Sequence, residues 1–212
     1  LYMSKLFGTD GIRGVVGENL TADLAFRVGQ AVGTVLMEER GGERPTVVLG
    51  KDTRISSDLL EAALIAGLCS VGTDVKPVGD IPTPAVAYLT RREKADAGIV
   101  VSASHNPYEH NGIKVFNGQG YKLSDALEER VEEKILSGKP MSLKTRGELG
   151  RRHHGMKQLK RDYIDFVAST IDSDLAGLRI LVDCANGAAS ATAPELFGRF
   201  KAHTVFLHRT PD

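Results

Sequence analysis

The chain has 212 residues, 42% of them hydrophobic, 25% charged and 6% aromatic, with no tryptophan. Its 27 basic and 27 acidic residues balance, so no global field attracts nucleic acid or an anionic membrane, and any anion site must be built locally. No apolar run approaches the ~18 residues of a membrane span, and the start of the chain lacks a signal-peptide core.

The two cysteines, Cys69 and Cys184, are far apart and make no metal spacing. Cys69 reads as a buried thiol in a helical pattern, and a reduced, cytoplasmic setting is expected. Met3 reads as the natural start, with Leu1-Tyr2 an extension. At roughly 100–200 residues per domain, the length suits one large domain, or one domain and part of another.

In chain order, Thr21 is placed to cap a helix in which Leu24, Val28, Ala31, Val32, Val35 and Leu36 keep helical spacing, ended by Gly41-Gly42. Thr46 to Gly50 is a short continuous apolar run, as expected of a buried strand. A polar loop, 51–57, leads to a helix read from Leu59, Leu60, Ala63, Leu64 and Leu68, with Ser56 or Ser57 as its cap. Asp74 to Val78 is a weaker strand. Thr83 then Pro84 look like a cap and first-turn proline for a helix to about Arg92. Ala97 to Val101 and Ile113 to Phe116 are strands, and Asp125 to Leu136 is a helix. Strands alternating with helices predict an α/β fold with a mixed, largely parallel sheet sandwiched by helices.

Residues 139–161 are polar, basic and nearly strandless. We place a boundary there, giving domains 1–150 and 151–212. Beyond it, "YIDFVAST" suggests a helix, "LRILVD" a buried strand, "CANGAAS" a small-residue turn into a helix, and "HTVFL" a further strand. One strand–helix–strand is too little for an independent α/β domain, so the second domain is expected to be incomplete.

Ligands of open α/β sheets bind beyond the carboxyl ends of strands. The loops 51–57, 102–111 and 184–190 leave such ends, and "FGTDGIRG", 7–14, joins them. In the last, glycines flank Arg13, which they can hold as an anion fork. Ser104 stands just past a buried strand and is the candidate nucleophile; the plainer reading is that Ser102, Ser104 and Asn106-Pro107 only form turns. No G-x-S-x-G elbow or P-loop is present. His105 follows Ser104 directly, and in an extended chain their side chains point apart, so His105 reads as a pocket residue and not as the base. Lys114 sits in an otherwise apolar strand that returns toward Ser104. A half-buried lysine needs an anionic partner or a lost proton, and both suit phosphate chemistry. Asp52 and Arg54 follow a buried strand and adjoin a helix start, where anions are favoured.

"SASHNP" (102–107), followed by Asn111-Gly112-Ile113-Lys114, resembles the phosphoserine loop of the α-D-phosphohexomutases. "FGTDGIRG", "GKDTRISS" and "ILVDCANGAAS" match that family's pattern, and the opening is most similar to its glucosamine-phosphate branch. Ser102 stands where the family more often has Thr. The resemblance implies a four-domain enzyme that interconverts glucosamine 6-phosphate and glucosamine 1-phosphate through a phosphoserine and a 1,6-bisphosphate. It implies Ser104 as phosphoryl carrier, Lys114 as general base, His105 and Arg13 in the active site, and Asn106 and Arg54 on phosphate. It also implies Mg²⁺ bound to the phosphoryl oxygen on Ser104 and to three aspartates of a loop absent from this chain. The partners implied are a phosphosugar and the remaining C-terminal domains; a homodimer is allowed, with no nucleic acid and no membrane. The other readings are a phosphomannomutase or phosphoglucomutase on the same scaffold, and a non-catalytic binding fragment.

Overall fold

The computed structural model describes residues 6–8, 10–154 and 157–211; Met3, read as the start, and the last residue lie outside them. A five-stranded sheet in the order β1-β5-β4-β2-β3 forms the larger part. Its strands are β1 (Ile12–Val15), β2 (Thr46–Lys51), β3 (Asp74–Asp80), β4 (Ala97–Val101) and β5 (His110–Asn117). β2 runs parallel to β3 and β4, whereas β5 runs antiparallel to both β4 and β1. The sheet is mixed, as expected, but its antiparallel half is larger than the helix-strand alternation suggested. No helix separates β4 from β5, so they form a hairpin. β1 falls inside what read as a loop: "IRGV" is short and glycine-broken, and pairing with β5 alone makes it a strand.

Alternation along the strands divides the core in two. Val47, Leu49, Ile99, Val101, Ile113 and Val115 face α1 (Ala22–Glu39), α2 (Ile55–Ser70) and α4 (Asp125–Leu136). Val48 and Val100 face the other way, toward α3 (Thr83–Arg92). This is the two-sided burial that continuous apolar strands require. α1 begins where its cap predicts: the Thr21 hydroxyl accepts from Leu24 N at 3.1 Å. α1 and α2 approach backbone to backbone. A Cβ on Gly67 would lie 2.1 Å from Phe26 O, and one on Gly29 would lie 2.5 Å from Leu64 O.

Two expected caps differ. Arg54, not Ser56 or Ser57, precedes α2, and no side chain caps it. Thr83 is the first helical residue of α3, behind Pro82, with Pro84 still in the first turn. Cys69 is half-buried, not buried, while Cys184 is buried.

The polar stretch after α4 has one short 3₁₀ turn, Arg146–Glu148, and then runs beside β3. Val75 N donates to Arg151 O and His153 N donates to Val75 O, both at 2.8 Å. Beyond it come α5 (Lys157–Ala168), β6 (Arg179–Asp183), α6 (Ala193–Phe197) and β7 (His203–Leu207), with β6 parallel to β7. α5 docks on α3: Tyr88 stacks on Phe166 with centroids 4.2 Å apart, and Arg92 pairs with Asp162 at 3.0 Å. β6 was expected to be buried; instead its residues alternate between exposed and half-buried, and Leu181 is 65% exposed. Pairing with β7 makes it a strand, but no layers cover both of its faces among the described residues. No helix of the described residues is long and apolar enough to cross a membrane.

Candidate active site

β4 ends in the middle of the sheet and holds the start of the 102–109 loop. Asp52 N donates to Val101 O, and Ser102 N donates to Gly112 O, each at 2.9 Å. Ser102 serves the turn: its Oγ accepts from Ser104 N at 3.0 Å. Ser104 is exposed and adopts φ +59°, a left-handed conformation that non-glycine residues rarely enter. That conformation overturns the expected geometry of His105. Side chains alternate only along an extended chain; here the backbone turns, and His105 Nδ1 lies 3.4 Å from Ser104 Oγ. The separation is long for an O–H···N bond but suits one that tightens when substrate binds.

Arg54 has a different place from the one expected. Its side chain is 11% exposed, and it donates in every direction it can. Nε reaches Asp52 Oδ2 at 2.9 Å. One terminal nitrogen reaches Pro107 O at 2.6 Å and His110 O at 3.1 Å. The other reaches Ser104 O and Asn106 O, both at 2.9 Å. A guanidinium has five N–H donors, and all are used, so Arg54 is not a free phosphate ligand. Buried Asp52 orients it, also accepting from Arg54 N at 3.1 Å and from the Ser57 hydroxyl at 2.8 Å. The Asn111 amide then donates to Ser56 Oγ and Ser57 Oγ, both at 3.0 Å. Sequence reasoning missed Ser57 and Asn111 in this role, because a polar residue after an apolar run says nothing about which loop it will tie.

Arg13 and Lys114 form a second group around Asp10. Arg13 donates to Asp10 Oδ2 at 2.8 Å, and Lys114 Nζ lies 3.7 Å from Asp10 Oδ1. Arg13 Nε is buried with no hydrogen-bond partner among the described residues. The absence of a side chain at Gly112 allows this arrangement, since a Cβ there would meet Arg13 Cγ at 3.0 Å. Lys114 was expected beside Ser104. Register decides otherwise: it pairs with Val100, inside β4, four residues before Ser104. It therefore shares a sheet face with Arg13 and is not among the residues lining the cleft at Ser104.

That cleft has a volume of about 900 Å³. Ser104, His105, Asn106 and Tyr108 line one side, and Ala185 to Ala188 the other, with Thr53, Arg54 and Ile55 also in the lining. The "CANGAAS" turn, one of the strand-end loops singled out in the sequence, thus shares this cleft with the 102–109 loop. Thr53 Oγ1 donates to Asn186 O at 2.6 Å and joins the two sides. Among the described residues no group of three or more His, Cys, Asp or Glu side chains could hold a metal ion, and Asp52 is taken by Arg54 and Ser57. These residues do not make a complete Mg²⁺ site.

The family model for the phosphoglucomutase/phosphomannomutase α/β/α domain I matches residues 4–141. A protein named phosphoglucosamine mutase from Caldanaerobacter subterraneus subsp. tengcongensis is 56% identical over 203 residues, 96% of this chain and 45% of that protein. One of the same name from Syntrophomonas wolfei is 50% identical over 212 residues, covering 99% of this chain and 47% of that protein. The crystal structure of a phosphoglucomutase/phosphomannomutase family protein from Burkholderia thailandensis superposes with a TM-score of 0.82 at 28% identity, covering 100% of this chain and 45% of that one. The chain therefore spans about half the length of the curated relatives it matches.

Proposed function

We propose a function on the premise that the chain belongs to the phosphoglucomutase/phosphomannomutase family: the protein of which it forms part is a phosphoglucosamine mutase, interconverting glucosamine 6-phosphate and glucosamine 1-phosphate. The observation that carries the reading is Ser104, exposed at a cleft mouth in a left-handed conformation with an imidazole nitrogen 3.4 Å from its oxygen. Identities of 56% and 50% to proteins named for this activity support the choice of glucosamine.

In this reading Ser104 carries a phosphoryl group, a durable store because phosphate monoesters hydrolyse so slowly. The P–O bond to Ser104 breaks as a sugar hydroxyl attacks phosphorus. The products are a sugar 1,6-bisphosphate and a free serine, which takes up one proton as the sugar hydroxyl loses one. The bisphosphate then turns round and returns its other phosphate to Ser104. His105 Nδ1 is placed to give and take the serine proton. Lys114 and Arg13, on one sheet face, supply positive charge. Asn106 contacts the substrate phosphate. Most of the rate comes from positioning and charge stabilisation. A Mg²⁺ ion would supply further charge neutralisation, with carboxylates from beyond these residues. The remaining length of the protein would also close the cleft against water. We place the enzyme in the cytoplasm, with domains divided at 150/151.

The test is the full-length protein. Peptide mapping is expected to find phosphate on Ser104, and Ser104→Ala is expected to remove mutase turnover while the fold persists. Phosphate on Ser102 would overturn the assignment of Ser104. A clear preference for mannose or glucose phosphates over glucosamine phosphates would overturn the substrate. A protein that carries no phosphate and turns over none of them would be the binding fragment instead.

A further inference from the structure

We propose that Arg54 is a positioning residue for the nucleophile loop: it holds Ser104 in its left-handed conformation by drawing the loop's carbonyls inward, and it does not bind phosphate itself. The inference rests on the reading of Ser104 as the phosphoryl carrier.

Four carbonyls converge on one side chain. Ser104 O, Asn106 O, Pro107 O and His110 O each accept from the Arg54 terminal nitrogens, at 2.6–3.1 Å. The guanidinium plane suits this because its donors form a fixed fork. A lysine has three donors on one atom and cannot reproduce it. The remaining N–H fixes the orientation of the whole group against Asp52, which is itself held by Ser57 and backed by Asn111. The chain of contacts thus runs from the end of β2, through the first turn of α2, to the start of β5. β2 and β5 are anchored in the sheet on either side of β4, so the β4–β5 loop that Arg54 ties to them inherits their rigidity.

The carbonyl directions have a second effect. In a trans peptide the N–H of the next residue points opposite the carbonyl. With Ser104 O and Pro107 O turned toward Arg54, the N–H groups of His105 and Tyr108 point away from it. Both residues line the cleft. Arg54 therefore contributes to phosphate binding indirectly, through amides that it orients, while its own charge is spent on backbone carbonyls and Asp52.

The experiment compares full-length wild type with Arg54→Ala, Arg54→Lys and Asp52→Asn, by turnover on glucosamine phosphates and by amide hydrogen exchange. For Arg54→Ala, exchange across residues 103–110 is expected to rise about tenfold or more, while the β2 and β4 amides keep their protection. Values of kcat should fall about 100-fold with KM changed little, as misplacement of a reacting group does. Added guanidinium should restore part of kcat to Arg54→Ala, and Arg54→Lys should stay impaired. Asp52→Asn, which leaves the arginine but loosens its orientation, should show a weaker form of the same pattern and serves if Arg54→Ala does not fold. A rise in KM at unchanged kcat, with unchanged loop exchange, would overturn the proposal and make Arg54 a phosphate ligand. If the wild type carries no phosphate and turns over no phosphosugar, the proposed function fails by itself. Loop exchange in the variants then still decides whether Arg54 holds the loop.

Discussion

Leu49 in β2 and Leu181 in β6 hold comparable positions in two parallel strands, yet Leu49 is fully buried and Leu181 is 65% exposed. Their local sequences, "TVVLG" and "LRILVD", look alike. The larger sheet has α1, α2 and α4 on one face and α3 on the other. The β6–β7 pair has pairing and little else. A strand forms where backbone groups find partners; burial depends on what lies above and below. An apolar run in a sequence reports the first condition and only invites the second.

The contrast can be broken by mutation. The largest effect is expected from Leu49→Ala, which opens a cavity between two covered faces and should cost about 2–5 kcal/mol in denaturant unfolding. Gly67→Ala comes next. Its methyl would strike Phe26 O at 2.1 Å, and overpacking of that kind costs about 1–3 kcal/mol; wild-type stability would show that the α1–α2 contact is looser than its geometry. Tyr88→Ala tests the seam between the two regions. It removes the stack on Phe166, and a loss of about 0.5–1.5 kcal/mol beyond lost area is expected, with faster amide exchange in α5 and little change in α1.

Smaller effects follow. Burial pushes the Glu61 carboxyl above its ordinary range, and its Oε1 is buried without a hydrogen-bond partner among the described residues. A carboxyl raised in the folded state favours folding only while protonated, and that contribution is lost as pH rises through its folded pKa. Glu61→Gln is thus expected to match wild type near pH ~4 and to be slightly more stable at pH ~7, by less than about 0.5 kcal/mol in thermal melts. Leu181→Ala should be the smallest, within about 0.5 kcal/mol of wild type. A cost like that of Leu49→Ala would mean that β6 is covered after all.

Much of the fold was legible because it depends on local signals. Thr21 caps α1, the apolar runs mark β2 and β4, and the helix spacing gives α2 and α4. What was not legible depends on contacts distant in sequence. β1 is a strand only because β5 is beside it. The site shows the same division. "SASHNP" marks Ser104 as unusual, but its φ of +59° cannot be read from its neighbours, and that single angle moved His105 from the opposite side to its partner. Lys114 was placed by the loop's return, and register sent it to Asp10. Arg54 carries a charge that suggests anions; only the positions of four carbonyls, up to 56 residues away, show what it does with it.

The short run of backbone after Gly150 has a practical consequence for anyone who would cut this chain. β3 is the outer strand of its sheet, and its free side is where a second molecule could add. Arg151 and His153 occupy that side at Val75. A fragment ended at 150, where composition suggests the seam, would keep its core except for Leu159 and the Tyr163 packed beside it, and lose its selvedge. It should self-associate at concentrations where a fragment carried through 154 stays monomeric, a difference that sedimentation would resolve.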